Sequence, residues 1–374
     1  MGEPTVTLKP DPANKAPSSQ TCSGANMQTL GSGGRVVIRA FSTLPAARRA
    51  LLACIALAAA GLLPTAEVVA QDPAEYLGPH FPYSLFDRLP TSIIESDGGK
   101  IEVAFAPGHL GQQQNTIFDW IGRSAKAIAI YFGRFPVPRL RILIVPVPGD
   151  AIHGTTWGYR GAATRITLGE DVPDADVGQS WVMAHELVHV AFPSLNREHL
   201  WLEEGLSTYV GPIARAQAAL VSAEYVWRWF AWGMPNGLPQ PGDQGLDHTH
   251  TWGRTFWGGA LFCLLADLGI RSRTENHQGL QTALRAITAE GGNGEVHWPL
   301  ARVLELTDRA TGVPEMSELS EKMRDHPVEV DLARLWSQLG VSPQSGKISF
   351  DDAAPLAPTR RAITTPPTVH PAAR

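Results

Sequence analysis

One short segment strongly limits what this chain can fold into: His185-Glu186-Leu187-Val188-His189. Apolar residues flank it, with Trp181 and Val182 before and Val190 after, and this favours a helix packed into a core. Residues four positions apart lie on the same face of a helix, so both imidazoles point at one place. The segment therefore predicts a buried helix that presents two histidines to a shared site, with the Glu186 carboxylate beside them.

Two histidines at this spacing are typical metal ligands, and Glu186 is near enough to act on a metal-bound water. The alternative is that both histidines are ordinary polar residues of an amphipathic helix. The three cysteines are scattered and form no CxxC pair, so a metal would have to use histidines and carboxylates. Zn²⁺ accepts these ligands, and a catalytic zinc site needs three of them and one open position for water.

A third ligand is expected on the next helix, in Trp201-Leu202-Glu203-Glu204-Gly205. Pro193 ends the first helix, and a short turn can bring the chain back so that a carboxylate reaches the metal. Either Glu203 or Glu204 could serve. Gly205 has no side chain and would allow another backbone to approach closely beside the ligand.

The rest of the chain predicts an α+β fold with a small mixed-sheet lobe followed by a mostly helical lobe. Alternating apolar residues indicate strands at 100–106 and 139–147 and late in 154–169, and helical spacing covers 115–132. From Ser180 onwards the predicted segments are helices, at 180–191, 199–209, 214–232, 255–268, 279–289, 300–310 and 330–339. The aromatic run within 227–232 and Cys263 are interpreted as core residues.

The segments HELVH and WLEEG together resemble the gluzincin metallopeptidases, which include thermolysin-like, aminopeptidase-N-like and glycyl-aminopeptidase-like groups. The resemblance implies a zincin-like domain in which His185, His189 and Glu204 hold Zn²⁺ and Glu186 is the general base. It favours Glu204 over Glu203 as the third ligand. The segment FWGGAL, which begins at Phe256, is similar to the Tyr-x-x-Gly-Ala segment of the aminopeptidase-like groups.

The chain departs from that family pattern at three places. The spacing from His189 to Glu204 is shorter than in aminopeptidase N relatives. Phe256 stands where the family has the tyrosine that stabilises the oxyanion. Thr164, in the segment GAATR, stands about where aminopeptidases have the glutamate that anchors a substrate amine, which argues against an N-terminal exopeptidase.

Another residue must therefore stabilise the oxyanion, since Phe256 has no hydroxyl. The candidates are His248, His250, Arg254, Tyr209 and Tyr225. His250 is favoured because the Pro- and Gly-rich loop before it, at 234–251, could fold over the cleft; the alternative is an ordinary exposed loop histidine. The strand near 165–168 could pair with an extended peptide substrate; the alternative is a strand that only packs within its lobe.

The first 70 residues are predicted to be a leader. Arg48 and Arg49 precede an apolar run at 50–63, and small residues follow up to Ala70, which is the order of a secretory signal peptide. The run is short for a membrane-spanning helix, so we expect export to the periplasm or the medium, with no membrane span after signal removal; a retained anchor is the alternative. Residues 72–344 form the expected metallopeptidase domain, and 345–374, rich in Pro and Ala, an expected disordered tail.

We therefore expect an exported zinc peptidase that acts on peptides or proteins, as an endopeptidase rather than an aminopeptidase. The alternative is a weak or inactive zinc-binding module of the same fold, acting in binding or envelope maintenance. The net charge of −5 means that basic residues do not outnumber acidic ones, which argues against nucleic acid as a partner. The sequence carries no signal for an oligomeric state.

Overall fold

The computed structural model describes residues 73–344 and 346–366. The predicted leader, 1–70, lies outside these residues. The first part of the described chain is a five-stranded sheet with helices beside it: α1 (Pro73–Leu77), β1 (Thr91–Ser96), β2 (Gly99–Phe105), α2 (Gln114–Phe132), β3 (Arg139–Val147), β4 (Ile152–Trp157) and β5 (Ala163–Gly169).

The strand order is β1-β2-β3-β5-β4. The pairs β2–β3 and β3–β5 are parallel, whereas β1–β2 and β4–β5 are antiparallel. The central strand β3 is apolar because helices and loops cover it, and Leu140, Ile142 and Ile144 are fully buried. β4 is an edge strand: within the described residues, β5 is its only strand partner.

The second part is helical. It comprises α3 (Asp174–Gln179), α4 (Val182–Ala191), α5 (Leu200–Gln217), α6 (Ala223–Gly233), a π-helical turn (Gly253–Gly258), α7 (Gly259–Arg273), α8 (Leu280–Ala289), α9 (Leu300–Thr311), α10 (Glu315–Met323) and α11 (Leu332–Leu339). The predicted fold class, a mixed sheet followed by a helical part, is confirmed.

The boundary between the second and third predicted helices is wrong. The sequence predicted helices at 199–209 and 214–232, but α5 continues through Pro212 to Gln217 and α6 begins at Ala223. Proline lacks the N–H that would bond to the carbonyl four residues earlier, at Thr208. Instead, Nε1–H of Trp229 donates to that carbonyl at 3.3 Å. A residue of the neighbouring helix α6 thus provides the hydrogen bond that proline cannot form.

The expected disordered tail is also wrong over most of its length. A short hairpin, β6 (Val341–Gln344) with β7 (Lys347–Phe350), and α12 (Ala357–Thr364) occupy this region. Ala357 and Ile363 of α12 are buried in the core. Arg360 adds to this anchoring, because its guanidinium is buried and donates to the carbonyls of Leu339 and Gly340. Such tertiary hydrogen bonds leave no pattern in a sequence. Residues 367–374 lie outside the description.

The core explains most of the aromatic content of the helical part. Trp227, Trp229 and Phe230 are buried on α6, as the sequence predicted, and Cys263 is buried on α7. Within the described residues, no helix is both long and apolar enough to cross a membrane.

Candidate metal centre

Helices α4 and α5 pack together and bring three predicted site residues to one point. His185 and His189 lie one turn apart on α4, and Glu204 lies in the second turn of α5. Gly205 allows this packing on the other side of α5, because a Cβ there would lie 2.3 Å from the carbonyl carbon of Gly259 on α7. The close backbone approach that the sequence predicted at Gly205 is therefore present. It sets how near α5, which carries Glu204, lies to α7.

The three donor atoms form an almost equilateral triangle. Nε2 of His185 lies 3.2 Å from Oε2 of Glu204 and 3.3 Å from Nε2 of His189, and the third side, from His189 to Glu204, is 3.4 Å. Ligand atoms about 2.0–2.1 Å from a tetrahedral zinc ion would be about 3.3–3.4 Å apart. The triangle therefore has the size of one face of a zinc tetrahedron, and the donor set fits Zn²⁺.

The electrostatics of the cluster favour a cation among these atoms. Burial opposes a charge on His189, but the carboxylates of Glu204, Glu186 and Glu203 outweigh it and raise the pKa of His189 to about 9. Burial would also raise the pKa of Glu204, yet His189 and His185 hold it well below its usual range. An ionised carboxylate facing two imidazoles is the arrangement that a divalent metal requires.

Glu203, the alternative third ligand, points elsewhere. Its Oε1 accepts a hydrogen bond from the backbone N–H of Leu195, at 2.9 Å, in the turn between α4 and α5. Burial raises the pKa of Glu203 to about 7, although that hydrogen bond and His189 oppose the shift. Glu203 therefore holds the connecting turn, and Glu204 alone of the two joins the histidines.

Glu186 is buried beside the triangle and is held by the edge strand. The hydroxyl of Thr156, on β4, donates to Oε2 of Glu186 at 2.8 Å. The side chain of Glu186 also lies against the backbone of Gly154, where a Cβ would come within 2.3 Å of Cγ. Burial raises the pKa of Glu186, while the two histidines and the Thr156 hydrogen bond lower it. A carboxylate in such a position can accept a proton from water near neutral pH.

The sequence missed the roles of Gly154 and Thr156, and it chose the wrong strand as the edge. The segment at 165–168 belongs to β5, which pairs with β3 on one side and β4 on the other, so it has no free edge for a peptide. Thr164 is fully buried and bonds to Thr156, so it is not positioned to meet a substrate amine. The only signal for β4 was a glycine followed by two β-branched residues before Trp157.

Aromatic rings form the wall behind the metal triangle. The ring of Phe256 is nearly parallel to the His185 imidazole, with centroids 6.1 Å apart, and Trp181 meets the same imidazole edge-on at 5.2 Å. Phe256 lies in the π-helical turn that leads into α7. Turns of this kind frequently occur at functional sites, because the extra residue displaces a side chain from the regular helix positions.

Two of the candidate oxyanion donors are engaged elsewhere. The hydroxyl of Tyr209 donates to Oδ2 of Asp267 at 2.9 Å, inside the helical core. Arg254 forms a buried ion pair with Asp243, 2.7 Å long, and also donates to the carbonyl of Gly237. Both residues hold the helical part together.

The histidine pair of the 234–251 loop is not brought into contact with the metal triangle. His248 bonds to Asp325, 2.9 Å away, at an exposed position. His250 is exposed, and no hydrogen bond or ion pair joins it to a described residue. The fifth candidate, Tyr225, accepts a hydrogen bond from Arg215. Three side chains that could hold a metal therefore lie beside Glu186, whereas Tyr209, Arg254 and His248 bond to residues elsewhere.

Comparison with known proteins supports the fold. No protein-family model matches the chain, and no curated protein matches it by sequence. The structure is similar to an aminopeptidase N family protein from Idiomarina loihiensis, with a TM-score of 0.51 at 14% identity over 69% of this chain and 50% of that one. An M1 zinc metallopeptidase from Deinococcus radiodurans matches with a TM-score of 0.44 at 16% identity, over 65% of this chain and 54% of the other.

The first of these matches shows that the chain has a fold similar to that of the Idiomarina loihiensis protein, with a mixed sheet followed by a helical part. The chain spans about half the length of the solved structures that it matches. At such low identity the likeness concerns the fold alone. The chemistry must therefore be argued from the site itself.

Proposed function

We propose that this protein is a zinc-dependent peptidase, with Zn²⁺ held by His185, His189 and Glu204 and with Glu186 as the general base. The observation that carries the proposal is the triangle of donor atoms, whose sides of 3.2, 3.3 and 3.4 Å match a face of a zinc tetrahedron. Zinc at this position would supply a Lewis acid that activates water and polarises a carbonyl group.

The side chains around the triangle would carry the proton transfers. Glu186 accepts a proton from the attacking water and passes it to the amine that leaves. The Thr156 hydroxyl holds one oxygen of that carboxylate, which leaves the other free for the proton. The rings of Trp181 and Phe256 form apolar walls that limit the access of bulk water to the site. This strengthens the electrostatic interactions inside it.

The edge strand supports a peptide substrate. The unpaired side of β4 can form main-chain hydrogen bonds with an extended chain, which would place a peptide bond beside Glu186, since Gly154 and Thr156 of that strand both contact this residue. Neither β4 nor β5 has an acidic residue to bind a free N-terminus. We therefore propose endopeptidase activity.

Glu186→Gln tests the peptidase proposal. The variant is nearly isosteric and should bind zinc like the wild type, while its hydrolysis of a peptide library should fall by about three orders of magnitude, since the base is lost. Peptides with acetylated N-termini test the endopeptidase part, because an aminopeptidase cannot cleave them. A zinc-loaded wild type that cleaves no peptide would refute the proposal.

A second candidate is a zinc-binding module with weak or no turnover. Phe256 favours it, because this ring stacks on His185 without providing a hydroxyl to an oxyanion. In that case the wild type would bind zinc and peptides, with the Glu186→Gln variant binding peptides equally well and no products appearing in either sample.

We propose export as a further part of the function, on the basis of the leader alone. The protein isolated from its source should then begin at Gln71, immediately after the predicted cleavage site at Ala70. N-terminal sequencing of that material decides the point, and a retained apolar run at 50–63 would contradict it.

A further inference from the structure

A small cavity lies behind the candidate metal centre, between α4, α5 and α6. Its volume is about 10 Å³, close to the space that one buried water molecule requires. Its lining includes His185 from the metal triangle, Ser207 and Thr208 from α5, Tyr225 from α6, and the indole rings of Trp181 and Trp229. The cavity therefore combines aromatic walls with a few polar groups.

Two of these lining residues each carry a buried polar atom that lacks a hydrogen-bond partner among the described residues: Nδ1 of His185 and Oγ of Ser207. Both residues are deeply buried, with 3% and 1% of their surfaces exposed. Buried polar atoms in folded proteins nearly always have a hydrogen-bond partner, so two unpaired atoms on residues around one water-sized space indicate that the space holds a polar ligand.

Ser207 differs in this respect from three threonines on helices or directly after one. Thr274, Thr288 and Thr311 each donate to the carbonyl four residues earlier, at 2.8, 3.1 and 3.0 Å. Ser207 makes no such bond within the described residues. Its hydroxyl is therefore available to the cavity.

We propose that a buried water molecule in this cavity links Nδ1–H of His185 to Oγ of Ser207, and that Ser207 is a positioning residue for this metal ligand. The inference rests on the proposed function, since it takes Nε2 of His185 as the atom that binds zinc. A proton held on Nδ1 fixes the tautomer in which Nε2 carries a lone pair for the metal.

The helix geometry explains why Ser207 can serve in this way. Ser207 follows Glu204 by three positions, so both side chains lie on the same face of α5, one turn apart. Glu204 faces the metal side of His185, whereas Ser207 faces the cavity on the opposite side of the imidazole. One helix would thus provide a ligand and also orient a second ligand.

Ser207→Ala tests the inference, with Ser320→Ala as a matched control. Ser320 is also a buried serine whose hydroxyl lacks a partner, but it lies on α10, away from α4 and α5. Zinc affinity, measured by competition with a chromogenic chelator, should fall roughly 10-fold in Ser207→Ala and should not change in Ser320→Ala.

Proton NMR provides a readout that a merely structural role would not move. In the zinc-loaded wild type, labelled at histidine nitrogens, the Nδ1–H proton of His185 should resonate downfield and exchange slowly with solvent. In Ser207→Ala the same proton should exchange faster, while the melting temperature follows that of Ser320→Ala.

The outcomes separate this inference from the proposed function. A wild type that binds no zinc would overturn both. A wild type that binds zinc, together with a Ser207→Ala variant of equal affinity and an unchanged His185 proton, would overturn the inference alone. If Ser207→Ala does not fold, a crystal structure of the wild type decides: a water within hydrogen-bond distance of both atoms supports the inference, and a Ser207 hydroxyl bonded to its own helix overturns it.

Discussion

The hydroxyl of Thr156 on the edge strand donates a hydrogen bond of 2.8 Å to Oε2 of Glu186 on helix α4. This contact joins the sheet to the helix that carries both histidines. It also restricts the carboxylate to one orientation, because Oε2 is engaged and the side chain lies against Gly154. The base of the proposed reaction is therefore positioned by the same strand that would bind the substrate.

Thr156→Val should lower kcat roughly 10-fold and leave zinc affinity unchanged, because the variant keeps the shape of the side chain but frees the base to rotate. Steady-state kinetics and zinc titration measure the two effects. Thr288→Val is a suitable control, since it also removes a hydroxyl hydrogen bond from a buried threonine but lies on α8. Equal kcat values for Thr156→Val and the wild type would show that Thr156 does not orient Glu186.

Removal of zinc should lower the melting temperature of the wild type, because a ligand that binds only the folded state stabilises it by about 4 kcal/mol at a thousandfold excess over Kd. Glu204→Ala should melt at the same temperature with and without a chelator. Glu203→Gln should respond to the chelator like the wild type, since its side-chain oxygen can still accept from Leu195. Scanning calorimetry checks all three, and a chelator-sensitive Glu204→Ala would refute this ligand assignment.

Gly205→Ala should destabilise the protein by about 1–3 kcal/mol and weaken zinc binding, because the new Cβ would lie 2.3 Å from the backbone of Gly259 and push α5 away from α7. Gly122→Ala on α2 is the matched control. Its Cβ would meet only a methyl group of Ile94, at 3.9 Å, so it should be neutral or stabilise the helix by up to about 1 kcal/mol. Urea denaturation separates the two variants, and similar midpoints would contradict the argument.

Phe256→Tyr should raise kcat by roughly 10-fold or more without changing zinc affinity, because the variant adds a hydroxyl donor to a ring that already stacks on His185. The gain is expected because Tyr209, Arg254 and His248 are already bonded to Asp267, Asp243 and Asp325. An unchanged kcat in a fully zinc-loaded variant would mean that a different group already stabilises the oxyanion.

Several features of the fold could be read from local patterns. The 139–147 strand has the predicted bounds, because its apolar run is short and ends at Pro and Gly residues. The C-terminal end of α5 was not predictable, since a tryptophan from α6 satisfies the carbonyl that Pro212 leaves without a partner. The order of the segment at 346–366 was not predictable for a similar reason, because the buried Arg360 helps to hold it through hydrogen bonds to Leu339 and Gly340, which leave no pattern in a sequence.

The sequence by itself determined that His185, Glu186 and His189 share one helix, because the helical repeat places residues four apart on the same face. It also indicated which family of folds would hold them. Only the tertiary structure decided that Glu204 and not Glu203 completes the triangle, that Thr156 holds the base, and that Ser207 faces the far side of His185. Those relations depend on the angle and distance at which α4, α5 and β4 pack, and these are set by contacts between segments far apart in the chain, such as Gly205 with Gly259.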